Sequence, residues 1–242
     1  MSDLCAAPAF SACGFEAPSL NNTALTTVGF AHVPSALTSA ELTLLAGLMA
    51  RRLEDGPGTR LTADPALTEL LAPTGALQTI ANATLGERAR PVRAVLFDKR
   101  AGSNWALGWH QDRTIAVRAR VETPGFGPWS TKSGIAHVEP PFELIERMIT
   151  LRAHLDDCGA DNAPLLVVPG SHRLGRLPVD QVATVAERSD AFACEAKAGD
   201  VWLTATAIIH ASKPAQNPSH RRVLQLDYSA DDLPNGLDWL GL

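Results

Sequence analysis

From Pro91 onward the chain is a succession of short apolar runs, each cut off by Gly, Pro, Asn or Asp. VRAVLFD (92–98), RTIAVRARV (113–121), MITLRAHLDD (148–157) and APLLVVP (163–169) read as strands, as do FACEAKA (192–198), VWLTATAIIHAS (201–212) and RRVLQLDYS (221–229). Gly199-Asp200 reads as a tight turn between two of them. Strands of this number need a common core, and the chain ahead of them supplies helices to help enclose it.

Helical signals crowd the first third. Thr38-Ser39-Ala40-Glu41 is a capping box, with Leu42, Leu45 and Met49 at helical spacing behind it up to about Glu54. Asp64-Pro65 caps and starts a short helix through Leu71, and a third spans 74–84. Short helices are expected again at 141–148 and 179–188. No internal repeat, low-complexity tract or Gly/Ser linker separates front from back. The expectation is one α+β, mainly β domain over 1–242, in which 1–90 is helical support and 91–230 the core. Residues 122–140, ETPGFGPWSTKSGIAHVEP, read as a long Gly- and Pro-punctuated excursion between strands, of the kind that forms lids or stays disordered.

Bulk properties narrow the partners. A net charge of −5 gives no support to nucleic acid or an anionic membrane surface. No apolar run approaches the ~20 residues that cross a bilayer. The four cysteines, Cys5, Cys13, Cys158 and Cys194, form no CxxC pair, which argues against a zinc knuckle or a disulfide framework and fits a reducing cytoplasm. The first twenty residues lack the basic start of a secretory signal and read as a cytosolic leader or a flap over a substrate. Oligomeric state is not legible.

Within GWHQDRTIAV, His110 and Asp112 are spaced as two ligands on one strand face. Two imidazoles and a carboxylate on one face of an octahedral ion leave three positions open, the arrangement of non-haem iron oxygenases. His154-Leu155-Asp156 repeats the HxD pattern and competes with it. For the third ligand, His172 lies in a Pro-Gly turn, His220 beside two arginines, His137 in the excursion and His32 far upstream. His210 alone comes with an anion site downstream: Ser212 two residues on, and Arg221 at the head of the next strand as an antiparallel return would place it. Strand alternation puts Arg221 with Val223, Gln225 and Asp227, and Arg222 with Leu224 and Leu226. Neither His154 nor His172 has an arginine so placed.

In that order, WHQD, NAPLLVVPGSHRLG, AGDVWLTATAIIHAS and HRRVLQLDYS resemble the phytanoyl-CoA dioxygenase-like family. This is a branch of the Fe(II)/2-oxoglutarate oxygenases that includes ectoine hydroxylase. The resemblance spans roughly 90–230 and implies a double-stranded β-helix, or jelly roll, with iron inside one end. It implies His110, Asp112 and His210 as the metal and catalytic triad, and Arg221 with Ser212 as the 2-oxoglutarate anchor. Fe(II), 2-oxoglutarate and O2 would then act together to hydroxylate an unactivated C–H bond of a small molecule, releasing succinate and CO2. Asp112, where the halogenating branch has Ala or Gly, argues for hydroxylation. Ala163-Pro164 stands where relatives commonly carry Gly-Pro, a departure expected to alter only a turn.

Lys99 and Asn104 lead into His110 and are further candidates to touch the cofactor. Substrate candidates are Trp105, Trp109 and Trp129, the cations Arg113, Arg118, Arg120 and Lys132, and Gln225. The four cations favour an anionic substrate. Arg152 and His154 face either the cavity or solvent. Two rivals remain open: a non-catalytic jelly roll that binds a small molecule, and a zinc hydrolase built on the same triad, which would have no use for Arg221 and Ser212.

Overall fold

The computed structural model describes residues 22–53, 56 and 58–242. The expected leader or flap lies outside the described residues, with Cys5 and Cys13. Along the chain run α1 (Asn22–Thr27), β1 (Phe30–Val33), α2 (Ser39–Arg52), β2 (Thr59–Leu61), α3 (Pro65–Leu70) and α4 (Ala76–Leu85). Then come β3 (Arg90–Lys99), β4 (Leu107–His110), β5 (Ile115–Val117), β6 (Trp129–Lys132), β7 (Ile135–Val138), α5 (Phe142–Glu146) and β8 (Ile149–His154). The chain closes with β9 (Leu165–Val167), a 3-10 turn (Ser171–Leu174), α6 (Val179–Glu187), β10 (Phe192–Cys194), β11 (Val201–Ala205), β12 (His210–Ser212) and β13 (Arg221–Ser229). Among the described residues no helix is long and apolar enough to cross a membrane.

The fold is mainly β. An antiparallel sheet of six strands, ordered β1-β11-β8-β13-β3-β2, faces a sheet of four short strands, β10-β9-β12-β4. Both sheets line one cavity: Arg152, Arg221, Val223 and Gln225 come from the first, Leu107, Leu165, His210 and Ser212 from the second. The long sheet turns its other face to the helices. There Leu151, Leu203, Leu224 and Leu226 alternate out of their strands against Leu45, Leu48 and Met49 of α2, Leu67 and Leu70 of α3, and Leu77 and Ile80 of α4. Removing buried area of this kind drives the docking, at roughly 25 cal/mol per Å².

The capping signals act as read. Thr38 accepts from the Glu41 amide while Glu41 accepts from that of Thr38, and Asp64 caps α3 through the Ala66 amide. Four expectations are corrected. The helical front also supplies β1 and β2, the two edge strands of the large sheet, too short to carry a visible alternation. VWLTATAIIHAS is two strands: β11 ends at Ala205, a turn closed by Ile208 N–H to Ala205 O intervenes, and β12 belongs to the other sheet. RTIAVRARV is strand only over Ile115–Val117, in a third sheet ordered β5-β7-β6.

The excursion at 122–140 is the rest of that sheet. β6 and β7 form a hairpin around Ser133-Gly134, whose φ values of 51° and 76° suit a tight turn with both central residues left-handed. Ser-Gly between WSTK and IAHV was the signal; the flanking Gly and Pro residues masked it.

Candidate active site

β4 delivers His110 as its last residue and β12 delivers His210 as its first, and the two are register partners. Their ring centroids lie 4.2 Å apart. Each Nδ1 sits against the carbonyl two residues back, Gly108 O at 2.8 Å and Ile208 O at 2.9 Å. A carbonyl only accepts, so each Nδ1 carries the proton and each Nε2 keeps a lone pair for a metal. With a carboxylate oxygen of Asp112, the three ligand atoms lie within 4.8 Å of one another. The donor set fits a divalent first-row metal with open positions.

Asp112 reaches that place differently from the expected strand alternation. β4 stops at His110 and Asp112 lies in the following loop. Gln111 fixes the turn: its Nε2 donates to Gly175 O and Ala207 O at 3.0 and 3.1 Å, and its Oε1 accepts from the Leu177 amide at 3.1 Å. A side chain only 4% exposed, with its amide used on both ends, pins the backbone between the two candidate ligands. Sequence reasoning passed over it, although a glutamine between two candidate ligands was in plain view.

Charge holds the carboxylate. Arg93, on β3, places NH2 3.4 Å from Asp112 Oδ2 and Nε 2.5 Å from Asp227 Oδ2. Burial alone would raise the pKa of Asp112, but Arg93, His210 and His110 outweigh it and keep the group below the usual carboxylate range. Asp227 is raised by its burial and by Asp112, while accepting from Thr150 Oγ1 at 3.1 Å. Burial holds His210 down to about 3, helped by the neighbouring His110, so the imidazole is neutral and free to coordinate. Arg93 was missed. Its signal was a lone charge inside the apolar strand VRAVLFD.

Deeper in the cavity lies a cationic cradle. Lys99, Ser212 and Arg221 are all buried. Lys99 Nζ donates to Ser212 Oγ at 2.7 Å and to Lys213 O, and Arg221 donates to Ala163 O and lies 3.5 Å from Ser212 Oγ. Arg221 Nε is buried with no hydrogen-bond partner, and no carboxylate forms an ion pair with this guanidinium among the described residues. The Cys158 thiol beside it is pushed up to about 11 by burial, so no thiolate balances it. A buried guanidinium beside a buried lysine, with no anion to balance them, fits a carboxylate-bearing ligand. β13 does not pair with β12 as an antiparallel return; Arg221 reaches Ser212 across the gap between the sheets.

The other candidates divide. Gln225, Arg152 and His154 line the cavity, as does Trp105, over whose ring Lys99 Nζ sits at 5.3 Å. Asn104 instead exchanges hydrogen bonds with the backbone of Ala215 at 3.0 and 2.7 Å, clasping the loop beyond the cradle. A residue inserted in β4 opposite His210–Ser212 turns Leu107 to the cavity and the His110 ring to that of His210, and leaves Trp109 against Val182 and Ile209. Arg113 donates to Leu177 O. Trp129 packs with Val117 and Val138, on the face of the hairpin opposite Lys132, with Arg120 over its ring. Ala163 occupies its turn at φ 53°, a left-handed position suited to glycine, and its carbonyl is the one Arg221 holds.

Residues 26–223 match the family described as phytanoyl-CoA dioxygenase (PhyH). No curated protein matches. Among solved structures the chain is similar to EctD from S. alaskensis in its apoform, with TM-score 0.65 and 20% identity, over 91% of this chain and 79% of that one. AviO1 from Streptomyces viridochromogenes gives TM-score 0.63 and 22% identity over 88% and 95%. HygX from Streptomyces hygroscopicus, solved with nickel, 2-oxoglutarate and hygromycin B bound, gives 0.60 and 15% over 87% of each chain.

Proposed function

The chain belongs to the phytanoyl-CoA dioxygenase family, and on that premise we propose that it is an Fe(II)- and 2-oxoglutarate-dependent oxygenase that hydroxylates an unactivated C–H bond of a small molecule. Succinate and CO2 are the co-products. The facing sheets are then the two sides of a double-stranded β-helix. One observation carries the reading: a His-Asp-His donor set and an uncompensated Arg-Lys-Ser cradle open onto the same buried space. A hydrolytic zinc site would leave the cradle without a role.

The bound iron, co-substrate and O2 supply the oxidising chemistry. The protein's part is positional. His110 and His210 offer Nε2 because Gly108 O and Ile208 O hold the other nitrogen protonated. Arg93 keeps Asp112 ionised and aimed. Arg221, Ser212 and Lys99 take the far carboxylate of 2-oxoglutarate, the guanidinium contributing charge and direction and the hydroxyl a further donor. Leu107, Leu165, Phe97 and Val223 give the space between an apolar wall.

Anaerobic addition of Fe(II) and 2-oxoglutarate should develop the visible metal-to-ligand charge-transfer band. Asp112→Ala should abolish it, and Arg221→Ala should raise the 2-oxoglutarate concentration needed by roughly a hundredfold, as expected for losing a buried charge-assisted pair. Absence of the band in the wild-type protein would sink this reading.

A further inference from the structure

On the Asp112 side of the centre, away from the cradle, stand two cations with no acidic partner among the described residues. Arg60 lies on edge strand β2 opposite Val95, on the face from which Arg93 projects two residues further along β3. It is half-buried, its Nε is buried without a hydrogen-bond partner, and burial, with the charge of Arg93 nearby, lowers its pKa. Lys132, at the end of β6, is likewise half-buried and donates to the hydroxyl of Thr114 at 3.3 Å. The two acids within reach, Asp112 and Asp227, are already engaged by Arg93.

The hairpin adds a third group. His137 shares its face of the β6–β7 pair with Lys132 and is fully buried. Its Nδ1 donates to Ile135 O at 3.0 Å, so its Nε2 is an acceptor, and that atom has no partner. Burial, with Lys132, Arg93 and Arg60 nearby, keeps this imidazole neutral, down to about 4. A buried guanidinium nitrogen and a buried imidazole acceptor, both without a hydrogen-bond partner, cost stability unless something from outside completes them.

We propose that Arg60 and Lys132 form an oxyanion clamp that selects a substrate carrying a carboxylate or phosphate, with His137 Nε2 accepting a hydrogen bond from a neighbouring hydroxyl or amine of that substrate. The clamp rests on the oxygenase reading only for its purpose: it fixes one end of the substrate on the side of the metal opposite the 2-oxoglutarate anchor. Arg221 and Arg60 thereby divide the two anions between them, one per side.

The test is calorimetric titration of inorganic phosphate into the full chain already saturated with Fe(II) and 2-oxoglutarate, without O2. Wild-type protein should bind it at one site, and Arg60→Gln and Lys132→Gln should each weaken binding at least roughly tenfold, the scale of one charge-assisted contact. Arg60→Lys should restore part of the loss. Each variant should still form the charge-transfer band, which certifies an intact fold and centre. No phosphate binding to wild type, or equal binding to the variants with the band intact, overturns the clamp and leaves the oxygenase reading standing. Loss of the band in wild type overturns the oxygenase reading, and the clamp is then judged on phosphate affinity alone.

Discussion

Lys99 is the residue whose chemistry the surroundings change most usefully. Burial and the nearby Arg221 bring its pKa from the ordinary 10.5 down to about 7. The lysine therefore enters the free protein half-protonated at neutral pH, and an arriving carboxylate favours the charged form. Above pH 7 the protein must take up a proton to bind 2-oxoglutarate, so affinity should fall by up to tenfold per pH unit, read from the charge-transfer band. Lys99→Met should bind more weakly at pH 6 and lose that slope; an unchanged slope would remove Lys99 from the cradle. Folding responds with the opposite sign. Between 7 and 10.5 the unfolded chain holds a proton that the folded chain lacks, so stability of the ligand-free protein rises with pH across that window. Motif spacing survives in one dimension, and it brought His110, Asp112, His210, Ser212 and Arg221 forward as candidates that the fold places around one cavity. Arg93, Arg60 and Gln111 stayed hidden, since what matters for them is who stands opposite, and only strand pairing decides that.

Elements were legible wherever a local rule governs them. The caps at Thr38 and Asp64 are chemistry within three residues of chain, and both helices begin where those rules put them. Glu41 goes further than its own helix: its second oxygen accepts from the Ala76 amide at 3.0 Å, satisfying the start of α4, where Gly75 has no side chain to offer. Glu41→Ala should accordingly cost more than Thr38→Ala, about 1–2 against about 1 kcal/mol in urea unfolding. Burial pulls the Glu41 carboxyl upward, but the Ala76 and Thr38 hydrogen bonds prevail and its pKa falls below the ordinary 4.5. Its contribution is thus present above pH 4.5 and lost as pH drops through the lowered value, so the gap between wild type and Glu41→Ala should close in acid. Short strands were not legible in the same way. Three or four residues of β1, β2 or β12 carry too little alternation to show which sheet they join.

At the scale of the molecule, the chain order of helices and strands was enough for the class, while the partition of strands into sheets was not. β11 and β12 are neighbours in sequence and lie on opposite sides of the cavity, so no window along the chain reveals the break between them. That partition has a thermodynamic consequence. The candidate metal ligands His110 and His210 ride on the four-stranded sheet, whereas Arg221 and Lys99 ride on the six-stranded one. On the proposed function, a metal and 2-oxoglutarate bound together would brace two halves that already meet through Lys99 and Arg221 at Ser212 and through apolar packing. By mass action, 2-oxoglutarate at a hundred times its Kd should add about 2.7 kcal/mol to the folded state. The added protection from hydrogen exchange should fall on β4 and β12 while α2 to α4 stay as they were, making co-substrate supply a setting on the cohesion of the fold as well as on the rate of turnover.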